Sequence, residues 1–198
     1  MGPVFGEASV LFLYMLTKFN MDVVDYSLFS TYSILMGTAG SAVAVTLFSK
    51  KMKMHDSVLG MIATACKSVS GYVYGLAPTR AWLFTAPAFD FFGNSGAIAI
   101  RSLGTKVVNP DQVGKMCSLI GFVETIIPVI YIPIYSKLFS ITLVTFPGAT
   151  YLLGGTMTIP AFLIFIALYV MYKRQQRDIV KDPAAKEAHA HENDVTAL

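Results

Sequence analysis

Residues 116–138 read MCSLIGFVETIIPVIYIPIYSKL, an almost unbroken apolar run with one charge, Glu124, before Lys137. A helix needs about 20 mostly apolar residues to cross a bilayer, so this stretch is predicted to span one. Working outward, the same pattern recurs at 28–48, 57–77, 81–103 and 149–172, and in shorter form at 5–17. The links are short, at 18–27, 49–56, 78–80, 104–115 and 139–148, and short links make neighbouring helices antiparallel. The expected fold is an all-α membrane bundle over 1–172. The polar remainder, 173–198, holds few aromatic or branched apolar residues and is expected to be a disordered cytoplasmic tail.

Composition agrees with a bilayer as solvent. Apolar residues make up 55% of the 198-residue chain and charged residues only 14%, against about a quarter in soluble domains; mean hydropathy is +0.59. The net charge of +3 comes from short basic clusters rather than a continuous basic face, so no nucleic-acid partner is expected. Cys66 and Cys117 lie inside apolar runs and read as small buried residues, not a disulfide framework. No basic leader opens the chain, so no secretory signal peptide is read there.

The basic residues orient the bundle. Lys50, Lys51, Lys53, Arg101, Lys106, Lys115, Lys173, Arg174, Arg177 and Lys181 fall at one set of helix ends, and Lys18, Arg80 and Lys137 at the other. The positive-inside rule then puts the C-terminus in the cytoplasm. Small residues favour close helix packing: Gly37, Gly40, Ser41 and Ala44 in the second run, Gly93 and Ala97 in the fourth. Pro87, Pro128, Pro133 and Pro160 are positions where a helix is expected to kink. The run at 5–17 is too short to span, which suggests a truncated first helix with more chain upstream.

Ionisable residues inside spans face protein or water, because lipid charges heavily for them. Glu7, Lys67, Asp90, Arg101 and Glu124 are the candidates. In the fourth run Asp90, Asn94, Ala97 and Arg101 would share one helical stripe. That stripe suits an aqueous cavity; alternatively Asp90 and Arg101 are anchors near opposite ends of the helix. In the fifth run Cys117, Glu124, Pro128, Tyr131 and Tyr135 share a face, where Glu124 either takes up a proton or glues helices together. Lys67, mid-span, is expected to form a structural ion pair with Asp90 or Glu124. His189 and His191 are too isolated for a metal site, and no catalytic motif is present, so neither an enzyme nor a cofactor is expected.

Several stretches carry a family resemblance: Asp25-Tyr26-Ser27-Leu28-Phe29-Ser30-Thr31-Tyr32, Ala99-Ile100-Arg101-Ser102-Leu103, Gly114-Lys115-Met116-Cys117-Ser118-Leu119, Pro133-Ile134-Tyr135-Ser136 and Thr145-Phe146-Pro147-Gly148-Ala149. In this order the chain resembles the C-terminal half of the major facilitator superfamily, and within it the proton-coupled folate transporter family, especially its insect members. The resemblance implies six helices equivalent to the seventh to twelfth of a twelve-helix carrier, with the first truncated and the fourth lining the central cavity. It assigns Arg101 to substrate binding and proton coupling. It also implies a proton as coupling ion, a small organic-anion substrate such as a folate-like solute, a partner half, and a plasma or endolysosomal membrane. The alternative expectation is a non-transporting scaffold or regulator that associates with a full-length carrier.

Overall fold

The computed structural model describes residues 2–46 and 56–181, and these are all-helical, with no strand. Seven helices follow in order: α1 (Gly2–Phe19), α2 (Val23–Ala44), α3 (Asp56–Leu76), α4 (Arg80–Phe89), α5 (Ser95–Val107), α6 (Val113–Thr142) and α7 (Ala149–Lys181). A single 3₁₀ turn at Pro110–Gln112 leads into α6. Two stretches, Pro110–Thr142 and Ala149–Gln175, are long and apolar enough by length and composition to cross a membrane.

The first helix is longer than its apolar run. It covers 18 residues, about 27 Å at 1.5 Å per residue, because Gly2, Pro3 and Val4 and the amphipathic end Lys18–Phe19 continue the hydrogen-bonded turns. Asn20, with φ of 49°, takes the left-handed conformation that ends it. Asp22 then caps α2 by accepting from the Val23 N–H at 2.7 Å. At the other extreme, α7 runs on to Lys181 and does not stop at Tyr172. Residues 182–198, with His189 and His191, lie outside the described residues, as do Lys50, Lys51 and Lys53.

The fourth run departs most from expectation. It is not one helix over 81–103 but two, α4 and α5, separated by turns at residues 90–94. Pro87 supplies no N–H to the ladder, and beyond it the chain tightens into i→i−3 bonds: Phe91 to Ala88, Gly93 to Asp90, Ser95 to Phe92 and Gly96 to Gly93. Gly93 permits the turn, since a Cβ there would overlap the Asp90 carboxylate. By contrast α6 remains one helix through Pro128 and Pro133, and α7 through Pro160.

Glycines set which helices touch. On α3 and α7, Gly71 meets Gly155, Gly75 meets the Gly148 carbonyl and Gly60 meets the Phe165 ring, an antiparallel register. Ser68 also donates to the Gly155 carbonyl at 2.9 Å. On α1 and α6 the register is parallel, with Gly2 under Tyr131 and Gly6 under Tyr135. On α2, Gly37 receives the Asn94 side chain and Gly40 the Phe91 carbonyl, so this helix packs against the α4–α5 turn. The small-residue pairs of the second run therefore serve a backbone turn rather than a second regular helix.

Polar contacts tie the ends. Lys18 Nζ donates to the Tyr14 hydroxyl at 3.0 Å and to the Gly75 carbonyl at 3.2 Å, while Tyr14 donates to the Tyr74 carbonyl, so α1 covers the open carbonyls of α3. Arg80, opening α4, donates to the Phe19 carbonyl at 2.9 Å and the Asn20 carbonyl at 2.6 Å and lies 3.5 Å from Asp25. At the opposite end the buried Asp56, in the first turn of α3, accepts from Lys106 and Ser102 of α5, each at 2.6 Å. Arg80→Ala removes two charge-assisted hydrogen bonds at a half-exposed position. It is expected to cost about 1–2 kcal/mol, read as a lower midpoint in thermal unfolding of the detergent-solubilised protein; an unchanged midpoint would mean that water serves these carbonyls equally well.

Candidate functional site

The break between α4 and α5 takes Asp90 out of the stripe predicted for the fourth run, while Asn94, Ala97 and Arg101 keep helical spacing on α5. Asp90 turns to Lys67 on α3, Asn94 lies over Gly37 of α2, and Arg101 reaches Glu124 on α6. Their partners lie on three different helices. Asn94 is exposed and stands at the N-cap of α5, the helix that carries Arg101.

Arg101 and Glu124 form the first charge pair. Arg101 Nη2 donates to Glu124 Oε2 at 2.6 Å. The pair joins α5 to α6 at a cleft of about 280 Å³ lined by Arg101, Cys117, Ile120 and Gly121. Gly121 keeps this side of α6 bare, with nothing within 4 Å of where a Cβ would stand. Cys117 is exposed rather than buried, because its face of α6 looks onto the cleft and not into a helix contact. The face predicted for α6 is thus divided: Cys117 and Glu124 turn to α5 and the cleft, Tyr131 and Tyr135 to α1.

The pair is unsymmetrical. The Arg101 side chain is 60% exposed and that of Glu124 22%. Glu124 Oε1 is buried without a hydrogen-bond partner. A guanidinium carries five N–H donors in a rigid fork suited to carboxylates, and the contact with Glu124 uses one of them. Chemically, a guanidinium at a cleft is a group able to hold an anion, and here it is engaged by a carboxylate.

Lys67 centres the second cluster. Its Nζ lies 2.9 Å from Asp90 Oδ2 and 3.6 Å from Glu7 Oε2. The partners are Asp90 and Glu7; Glu124 is engaged with Arg101. Glu7 is only 6% exposed. It fits because Gly154 of α7 has no side chain, since a Cβ there would overlap Glu7 Oε1. Glu7 stood out in the sequence as an intramembrane acid, but its partner sixty residues away on α3 left no local trace. Asp56, Arg80 and Tyr135 were not flagged as polar contact points; their residue types are ordinary, and only the packing makes them partners. Among the described residues no group of three or more His, Cys, Asp or Glu could hold a metal ion.

Taken together, the described residues are all-helical, with two membrane-capable helices, the Arg101–Glu124 pair at a cleft and the Lys67 cluster among the helices. The chain's relatives are solute carriers of the SLC46 type. It is 24% identical, over 72% of its length and 28% of the relative's, to the "Probable peptidoglycan muropeptide transporter SLC46" of Drosophila melanogaster. It is 26% identical, over 82% of its length and 35% of the relative's, to the "Lysosomal proton-coupled steroid conjugate and bile acid symporter SLC46A3" of Homo sapiens, and 27% identical over the same shares to its Pongo abelii counterpart. The chain spans about a third of the length of the curated relatives it matches. No family model matches it, and no solved structure matches it.

Proposed function

We propose that this chain is the C-terminal six-helix half of a proton-coupled carrier of organic anions, with α4 and α5 acting as one broken span. The observation that carries this reading is the Arg101–Glu124 pair at the α5–α6 cleft. A carrier of anions needs a cation that is strong when substrate is present and neutralised when it is not. Glu124 fills that second role in the empty site, and a proton on Glu124 releases Arg101 to the substrate. Anion and proton then bind together, which is the thermodynamic basis of symport. The names of the relatives print muropeptides, steroid conjugates and bile acids; an organic anion, a folate-like solute among them, is the class that the Arg101 guanidinium suits. The C-terminus is cytoplasmic in this reading, and the membrane is one across which the far side is acidic, endolysosomal or plasma.

The other half of the cavity belongs to a preceding or partner half, against which these helices rock. Apolar side chains on α2 and α6, such as Leu28, Ile34, Leu35, Phe122 and Val129, are exposed in the isolated chain, as expected for faces that meet lipid or that half. The test is uptake of an organic anion by the complete polypeptide. Uptake is expected to rise as the outside is acidified. Arg101→Ala should lower it about 10- to 100-fold, the worth of a lost charge-assisted contact, and Glu124→Gln should flatten its pH dependence. Uptake indifferent to both substitutions would overturn the proposal.

A further inference from the structure

Glu7, Lys67 and Asp90 bring three charges together where α1, α3 and the α4–α5 turn meet. Two carboxylates flank one ammonium, so the fully ionised cluster carries a net negative charge among apolar helices. Such a charge is costly near the bilayer centre. The geometry distinguishes the two acids. Asp90 makes a true hydrogen bond to Lys67 at 2.9 Å, whereas Glu7 stands off at 3.6 Å.

A second observation comes from a neighbouring helix. Tyr135 of α6 is fully buried, and its hydroxyl has no hydrogen-bond partner. That hydroxyl and Glu7 Oε1 crowd the same point: a Cβ on Gly154 would overlap Glu7 Oε1 and lie 3.2 Å from the Tyr135 oxygen. A buried, unpartnered hydroxyl beside a carboxylate is unsatisfied as it stands. A phenol both donates and accepts, so this hydroxyl can serve Glu7 in either form, donating to the carboxylate or to the C=O of the protonated acid; the charge balance of the cluster decides which form is held.

We infer that Glu7, Lys67, Asp90 and Tyr135 form a binding site for a single proton, carried on Glu7, separate from the Arg101–Glu124 pair and independent of whether the chain transports. In the loaded state Glu7 is a neutral acid, Lys67 and Asp90 form a balanced ion pair, and the cluster carries no net charge. Proton release to water leaves the carboxylate and a net charge of −1. Other titratable groups facing Glu7 are the phenols of Tyr74 on α3, Tyr135 on α6 and Tyr151 on α7, and the amino terminus of the chain. Phenols ordinarily titrate near pH 10, and a carboxyl C=O signal separates a proton on an acid from one on an amine.

Infrared difference spectroscopy of this chain in lipid vesicles, titrated with acid and base, reads the protonated-carboxyl C=O band directly. The band is expected at neutral pH in the wild type and in Glu124→Gln, and it should vanish in Glu7→Gln. Tyr135→Phe, which keeps the ring against Gly6, should retain the band and move it to higher frequency as its hydrogen bond is lost. A wild type without the band at neutral pH, a band that survives Glu7→Gln, or one that Tyr135→Phe leaves unmoved would overturn the site. A band removed by Glu124→Gln instead would also overturn it, while supporting the proton assigned to the Arg101 pair.

Discussion

Lys67→Met is expected to destabilise the bundle by about 3–5 kcal/mol, the usual cost of removing one partner from a buried ion pair. The methionine fills nearly the same volume, so lost packing contributes little. What remains is the Asp90 carboxylate, whose second oxygen is already buried without a partner, and an acid at Glu7 with no cation nearby. The measurement is reversible unfolding in mixed micelles, compared with the triple variant Glu7→Gln, Lys67→Met, Asp90→Asn. Removing all three ionisable groups should restore most of the loss, because a neutral cluster needs no compensation. If the single variant costs less than about 1 kcal/mol, the range of exposed pairs, the cluster is wetter than its burial indicates and contributes little to holding α1, α3 and the turn together.

Gly40→Ala should be nearly as damaging, at or above about 3 kcal/mol, the top of the usual range for overpacking. A Cβ at Gly40 would overlap the Phe91 carbonyl oxygen. The obstacle is backbone in a tight turn, which cannot swing aside as a side chain can. Gly121→Ala is the control of opposite sign. Nothing lies within 4 Å of its Cβ position, and alanine favours a helix interior by about 1 kcal/mol over glycine. Thermal midpoints of the two variants should therefore move in opposite directions from the wild type. A neutral Gly40→Ala would mean that α2 does not press on the α4–α5 turn.

The helices themselves were legible because the apolar runs are long and the breakers between them are local. The run at 116–138 lies within α6, and 149–172 within α7. Their ends were less legible. Hydropathy marks the apolar part of a helix, whereas Lys18 and Phe19 extend α1 through polar contacts, Lys18 to α3 and the Phe19 carbonyl to Arg80 of α4, that no window of sequence contains. The break at residues 90–94 was misread for a related reason. Pro87 and Gly93 were both visible, but Pro128, Pro133 and Pro160 look alike and do not interrupt their helices. What distinguishes the fourth run is tertiary: Lys67 holds Asp90, and Gly40 makes room for the Phe91 carbonyl.

The charged residues follow the same division. Glu7, Lys67, Asp90, Arg101 and Glu124 could each be picked out by sequence, since a charge within an apolar run is rare enough to stand alone as a signal. Their partnerships could not. Both Lys67 with Asp90 and Arg101 with Glu124 are 23 residues apart, with a helix end and a link between them, and local periodicity says nothing across such a gap. The amino-acid sequence by itself determined that this chain is helical and apolar, and which few residues are costly to bury. Only the tertiary structure decided how those costs are met, because pairing depends on which helix faces lie side by side, and that follows from where glycines let backbones and rings approach.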